Sequence, residues 1–117
     1  MNKFLVSLLL LLSSSSIFAD TAKEISHLLN FVENTECIYN RNGTTHNGSE
    51  AREHIQKKYD YYKDKIKTAE DFIDYSATKS MISGRKYTVT CAGKDEQYSR
   101  DWLNHELNLY RSQLTEK

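Results

Sequence analysis

Apolar and polar positions recur with two different periods along this chain, and the places where the period changes divide it into elements. Ile25, Leu28, Leu29 and Val32 fall at i, i+3, i+4 and i+7, which is one face of an α-helix. Ahead of them Thr21-Ala-Lys-Glu24 has capping-box spacing, in which a Thr hydroxyl and a Glu carboxylate satisfy amide donors left open at a helix start. A first helix is therefore predicted from there to about Glu33. Glu36 to Arg41 changes to strand composition around Cys37, Ile38 and Tyr39, and Asn42-Gly43 closes it with residues that tolerate positive φ. Thr44 to Gly48 is polar and reads as loop. From Ser49, a residue able to cap, Ala51, Ile55, Tyr59 (or Lys58), Tyr62 and Ile66 return at roughly helical spacing, and this second helix is predicted to end near Lys67. Thr68-Ala-Glu-Asp71 is another capping signal, and Ala69, Phe72, Ile73 and Ala77 form the stripe of a third helix that Ser80 to Gly84 breaks.

The period then becomes two. In Lys86-Tyr-Thr-Val-Thr-Cys91 the residues Tyr87, Val89 and Cys91 share one face and Lys86, Thr88 and Thr90 the other, which predicts a half-buried strand. Laid antiparallel to the earlier strand, it puts Cys91 and Cys37 at opposite ends of their respective runs, so that a bridging register exists. After a turn over Ala92 to Gln97, Ser99 is positioned to cap a last helix with Leu103, Leu107, Tyr110 and Leu114 as its stripe and Trp102 beside it. The order helix, strand, helix, helix, strand, helix predicts a small single α+β domain, helix-dominated with about four helices and a short two-stranded antiparallel sheet. Two strands alone are marginal, so the helices must supply the core.

The first nineteen residues follow another pattern: a basic head at Lys3, an apolar run from Phe4 to Leu12, four serines, then Ile17-Phe18-Ala19. This is the layout of a cleavable export signal of bacterial type, cut before Asp20, and the domain is expected to run from Asp20 to Lys117. The apolar run is shorter than the about 20 residues a spanning helix needs, so the exported chain is not expected to stay embedded in a membrane. A periplasmic address follows, and about a hundred residues leave room for one domain. Charge adds an exclusion. Lys plus Arg and Asp plus Glu number 16 each, and loss of Lys3 leaves one more acid than base, so nucleic acid is not an expected partner. In an oxidising compartment Cys37 and Cys91 tend to pair, and closing so long a loop is worth roughly 4 kcal/mol on the chain-entropy account. The alternatives are two buried free thiols or a redox pair, although the Cys-x-x-Cys spacing usual for the latter is absent.

Four ordered motifs carry a resemblance. They are Cys37-Ile-Tyr-Asn-Arg-Asn-Gly43, Glu50-Ala51-x-x-His54, Lys67-Thr-Ala-Glu-Asp-Phe-Ile73 and Lys79-Ser80-x-x-Ser83-Gly84-x-x-Tyr87. Together they span most of the exported part, which resembles the YfeK-like family of small exported bacterial proteins, a domain of unknown function. The resemblance implies a periplasmic address and a common fold. It brings no reaction.

Candidate chemistry is sparse, and no residue is assigned a catalytic role or a cofactor. His46, Glu50 and His54 offer three potential metal ligands, two of them four apart on a helix. Their structural alternative is a contact from His54 or Glu50 to the Arg41-Asn42-Gly43 turn. Ser76-Ala-Thr-Lys79 matches the Ser-x-x-Lys pattern of penicillin-recognising enzymes, without the further elements those enzymes need. Arg41, Asn42, Ser80, Ser83 and Arg85 would meet at strand ends as a polar patch with two guanidinium groups, suited to an anion or a partner's carboxylate; the plainer use of such residues is turn hydrogen bonding. Tyr59, Tyr61 and Tyr62 cannot all face one core, so at least one is exposed or at an interface. Asn42-Gly-Thr44 and Asn47-Gly-Ser49 match glycosylation sequons but read as turn chemistry. The expectation is a non-enzymatic module of the cell envelope that binds a protein or envelope component through the Arg41/Ser80–Arg85 patch or the tyrosine-bearing helix. The alternative is a small metal-dependent hydrolase or metal-binding protein built on His46, Glu50 and His54.

Overall fold

A computed structural model describes residues 20–115. The proposed export signal, residues 1–19, lies outside them. Four α-helices pack around a four-stranded antiparallel sheet. The first helix, α1, covers residues 20–33, and its predicted stripe, Ile25, Leu28, Leu29 and Val32, is buried. The helix is already formed at Asp20, so Thr21 lies within it and not at its cap. Glu24, predicted to close that cap, is bound instead by Arg111.

Strand β1 (Ile38–Arg41) turns back through Asn42 and Gly43, both at positive φ (52° and 82°), into β2 (Thr44–His46). Two left-handed residues match the right-handed twist of the flanking strands, which is why Asn-Gly makes a two-residue hairpin. Strand β3 (Thr88–Thr90) pairs antiparallel with the other edge of β1, and β4 (Gln97–Tyr98) completes the order β2-β1-β3-β4. The α+β, helix-dominated expectation stands, but the sheet has four strands in place of two. The added strands are edge strands of three and two residues with polar or half-exposed side chains, so they carry no alternation to detect. The register Ile38↔Thr90 places Cys37 opposite Cys91, one residue beyond, where they form a disulfide with Cα atoms 4.3 Å apart.

Helix α2 (Gly48–Tyr62) starts two residues earlier than predicted, because Asn47 and not Ser49 is its cap. Asn47 Oδ1 accepts from the Glu50 amide and Glu50 Oε1 from the Asn47 amide, each at 2.9 Å. Gly48 is required there: a Cβ would lie 2.5 Å from the Val32 carbonyl oxygen and 2.7 Å from that of Glu33, where α1 ends against it. Helix α2 also stops sooner than Lys67, at Tyr62, and tightens into a 3-10 turn over Lys63–Lys65 that swings Ile66 into the core. Helix α3 (Ala69–Ser76) begins with the predicted box, Thr68 and Asp71 satisfying each other's amides.

Helix α4 (Ser99–Thr115) differs at both ends from its prediction. Ser99 is the first helical residue and its fully buried hydroxyl bonds the Tyr39 hydroxyl at 2.7 Å, so it ties helix to sheet. Leu103 and Leu107 are buried with Trp102, whereas Leu114 is 54% exposed, since the helix runs past the core. The core itself lies between the stripes of the four helices and the inward side chains Tyr39, Tyr87 and Val89 of the sheet. Among the described residues no helix is long and apolar enough to cross a membrane.

Candidate functional site

Alternation along the sheet turns Tyr87 inward, where it is buried in the core and its hydroxyl meets His54 and Lys58 of α2. His54, Lys57, Lys58, Tyr61 and Tyr62 recur on that helix at i, i+3, i+4, i+7 and i+8, one stripe beside the buried one. They form one wall of a cavity of about 310 Å³. Arg41 and Asn42 close it from the hairpin, and Ser80, Met81 and Ile82 from the loop that follows α3.

Tyr87 is the hub. Lys58 Nζ lies 3.2 Å from its hydroxyl and 4.9 Å from its ring centroid, and the Arg41 guanidinium carbon is 6.0 Å from that centroid. His54 Nε2 is also 3.2 Å from the hydroxyl, with the two rings edge to face. An ammonium can only donate, so the phenol oxygen accepts from Lys58 and its single proton is left for His54 Nε2. That assignment needs a neutral imidazole. Burial, then the charges of Arg41, Lys58, His46 and Lys57, push the His54 pKa down to about 4. Burial and Arg41 likewise bring Lys58 down to about 8, which leaves it largely charged at neutral pH. Burial raises the Tyr87 hydroxyl, with Arg41 opposing.

Of the cations here, Lys57 has an ion pair, with Glu53, whereas Arg41 and Lys58 have none among the described residues. Among the described residues no acidic one lines the cavity, and the α2 acids Glu50, Glu53 and Asp60 lie off its stripe. Lys58 donates to the Lys79 carbonyl at 2.6 Å, and Lys57 reaches Glu53 at 3.4 Å on the exposed side of α2. Arg41 Nε is buried and has no hydrogen-bond partner. A buried donor left unbonded carries a desolvation cost of about 1–3 kcal/mol, more when charged. The larger cavity of about 450 Å³ beside β4 is different: Glu96 and Asp101 line it, and Thr88 Oγ1 already donates to Glu96 at 3.0 Å.

The residues singled out from sequence divide clearly. Arg41, Asn42 and Ser80 meet at the cavity, and Ser83 Oγ donates to Asn42 Oδ1 at 2.7 Å, which ties the hairpin turn to the loop. Arg85 lies against Gly43, its Nη1 3.6 Å from where a Cβ there would be. The proposed metal ligands are not brought together as a set. His46 ends β2 opposite Tyr39, Glu50 is committed to the α2 cap, and His54 faces Tyr87. Neither Glu50 nor His54 contacts the hairpin turn by a hydrogen bond, the structural alternative predicted for them. Among the described residues no group of three or more His, Cys, Asp or Glu is placed to hold a metal ion. Ser76 Oγ is fully buried without a hydrogen-bond partner, so no lysine activates it and no substrate reaches it. Lys58 and Tyr87 are not among the site residues that the sequence singles out, because the periodicity offers Lys58 only as an alternative to Tyr59 on the helix stripe and gives Tyr87 to the inner face of a strand. The stripe of polar and aromatic residues next to the apolar one on α2 was the available signal. Of the three tyrosines of that helix, Tyr61 is 80% exposed while Tyr59 and Tyr62 pack against the core.

A family model described as a family of unknown function (DUF5329) matches residues 19–111. The chain is also 36% identical over 84 residues to the uncharacterized protein YfeK of Salmonella typhimurium, with 70% of each chain covered. Both findings agree with the resemblance carried by the four motifs. No solved structure matches the chain.

Proposed function

We propose a function for this chain, which belongs to the DUF5329 family of unknown function: it is an exported, non-enzymatic binding module that holds an anionic group of an envelope component in the Tyr87 cavity. The observation that carries the reading is the unpartnered buried Arg41 Nε, in a cavity that also presents Lys58 and Lys57 and no carboxylate. Arginine presents a planar fork of donors suited to phosphate or carboxylate, and a neighbouring ammonium adds a point charge. Asn42 of the hairpin and Ser80 of the loop after α3 add neutral polar groups to its lining. A periplasmic address is supported by the disulfide, which persists in oxidising compartments, and by the basic-apolar-small pattern of the first nineteen residues.

Titration with inorganic phosphate, followed by calorimetry and by the chemical shifts of Tyr87 and His54, tests the site. Saturable binding that Arg41→Met abolishes is expected. Affinity should fall as pH rises through and above about 8, where Lys58 loses its proton among Arg41, Tyr87, His54 and Lys57; bound anion will move that midpoint upward. Absence of binding by phosphate, sulfate and carboxylates alike would overturn the reading.

A further inference from the structure

The mouth of the cavity is apolar where its floor is cationic. Ile82 is 100% exposed, Met81 59% and Tyr61 80%, and all three line it. Single exposed apolar residues are ordinary, but three at one rim are a patch. Ile82 and Met81 sit at the tip of a turn where Gly, Asn, Asp and Ser are the usual occupants. That turn is held firmly. Ser80 accepts on its carbonyl from the Gly84 amide at 2.9 Å and on Oγ from the Ile82 and Ser83 amides at 3.3 and 3.2 Å, while its own amide donates to the Arg85 carbonyl at 3.0 Å. The Ser83–Asn42 bond then fixes the turn to the hairpin beside Arg41. A fold that braces two apolar side chains in water, next to unpaired cations, is arranged for an amphipathic target.

Resting on the anion-binding reading above, we infer that this face docks on a bilayer surface containing anionic phospholipid: Arg41 and Lys58 hold a headgroup phosphate, and the Met81–Ile82 tip enters the acyl boundary with Tyr61 at the headgroup level. A soluble anion would use only the floor and leave the tip in water. A protein partner would need a concave apolar pocket for a projecting tip and a carboxylate deep in the cavity, whereas a lipid surface offers both an anion and an accommodating apolar layer. Tyrosine is enriched at that level because its ring is apolar and its hydroxyl is not. The exported part carries one more acid than base, so attraction to an anionic surface has to come from this patch and the docking is reversible.

Co-sedimentation of the disulfide-intact protein with vesicles tests it, using phosphatidylcholine alone and phosphatidylcholine with phosphatidylglycerol. Retention only on the anionic vesicles is expected. The double variant Met81→Ser, Ile82→Ser and the single variant Arg41→Gln should each weaken it by about tenfold or more. These serines replace exposed side chains, and an unchanged melting temperature shows the fold is kept. Ile82→Trp should shift its fluorescence to the blue on anionic vesicles. Phosphate binding without vesicle retention, or retention unchanged by the Met81/Ile82 double variant, overturns membrane docking while leaving the anion site standing. Loss of both phosphate and vesicle binding overturns the two together.

Discussion

Arg111 and Arg41 show one side chain in opposite surroundings. Arg111, on α4, is clasped by two carboxylates: Nε and Nη2 donate to Glu24 of α1 at 2.7 and 3.0 Å, and Nη1 and Nη2 to Glu70 of α3 at 2.8 and 3.0 Å. The Arg111 guanidinium holds the Glu70 carboxyl below its ordinary value, and the two carboxylates raise the arginine's own. Nearby, His27 meets Glu106 at 2.7 Å while stacking on Tyr110. Such pairing joins three helices and uses every strong donor internally. Around Tyr87 burial first and neighbouring cations second depress His54 and Lys58, and Arg41 Nε meets no hydrogen-bond partner among the described residues. Cations assembled without acids do not help a fold, and the proposed anion site is the reading that accounts for them.

The largest expected effect tests whether the cavity depends on the covalent tie at the far end of β1. Cys37→Ser and Cys91→Ser should each cost about 4 kcal/mol in guanidinium unfolding and should not add in the double variant. Additive losses would mean two separate thiol contributions, and a tenfold drop in phosphate affinity would show the disulfide shaping the cavity. The two arginines are tested directly next. Arg111→Met should lose about 1–2 kcal/mol, because Glu24 is left partly buried and unpaired, with phosphate affinity unchanged. Arg41→Met should lose no stability while binding disappears; equal destabilisation by both would erase the distinction between them.

A smaller effect probes the core link behind the cavity. Tyr39→Phe should cost about 1 kcal/mol by thermal melting, since Ser99 Oγ loses its partner in a fully buried position. Smallest is a pH slope. His54 titrates near 6.5 when unfolded and about 4 when folded, so between these values the unfolded chain binds the extra proton. The stability from neutral His54 is complete above pH 6.5 and is lost as pH falls toward 4. His54→Gln should flatten that slope, and an unaltered slope would place its source elsewhere.

Much of the scaffold was legible because its signals are local. The stripe of α1, the Thr68–Asp71 box and the Tyr87–Val89 alternation each specify burial within a few residues, and each is buried or capped as that pattern predicts. The Asn42-Gly43 turn announced itself by residues that accept positive φ, but the strand after it did not, because Thr44 and Thr45 are exposed. Asn47 outcompeted Ser49 as a cap because the end of α1 presses on Gly48, a contact between distant segments. For the site, the Arg41/Ser80–Arg85 patch was anticipated from strand pairing, whereas Lys58 and Tyr87 acquired their roles from how close they stand to it.

The chain's own pattern determined which segments become helices and the antiparallel strands that bring Cys37 to Cys91, since periodicity and caps act between neighbours. Only the tertiary structure decided that β1, α2 and the Ser80–Gly84 loop converge on Tyr87, that Glu50 serves a cap and that Arg41 meets no acid. Those outcomes depend on distances between residues far apart in sequence, and desolvation and Coulomb interactions respond to such distances alone.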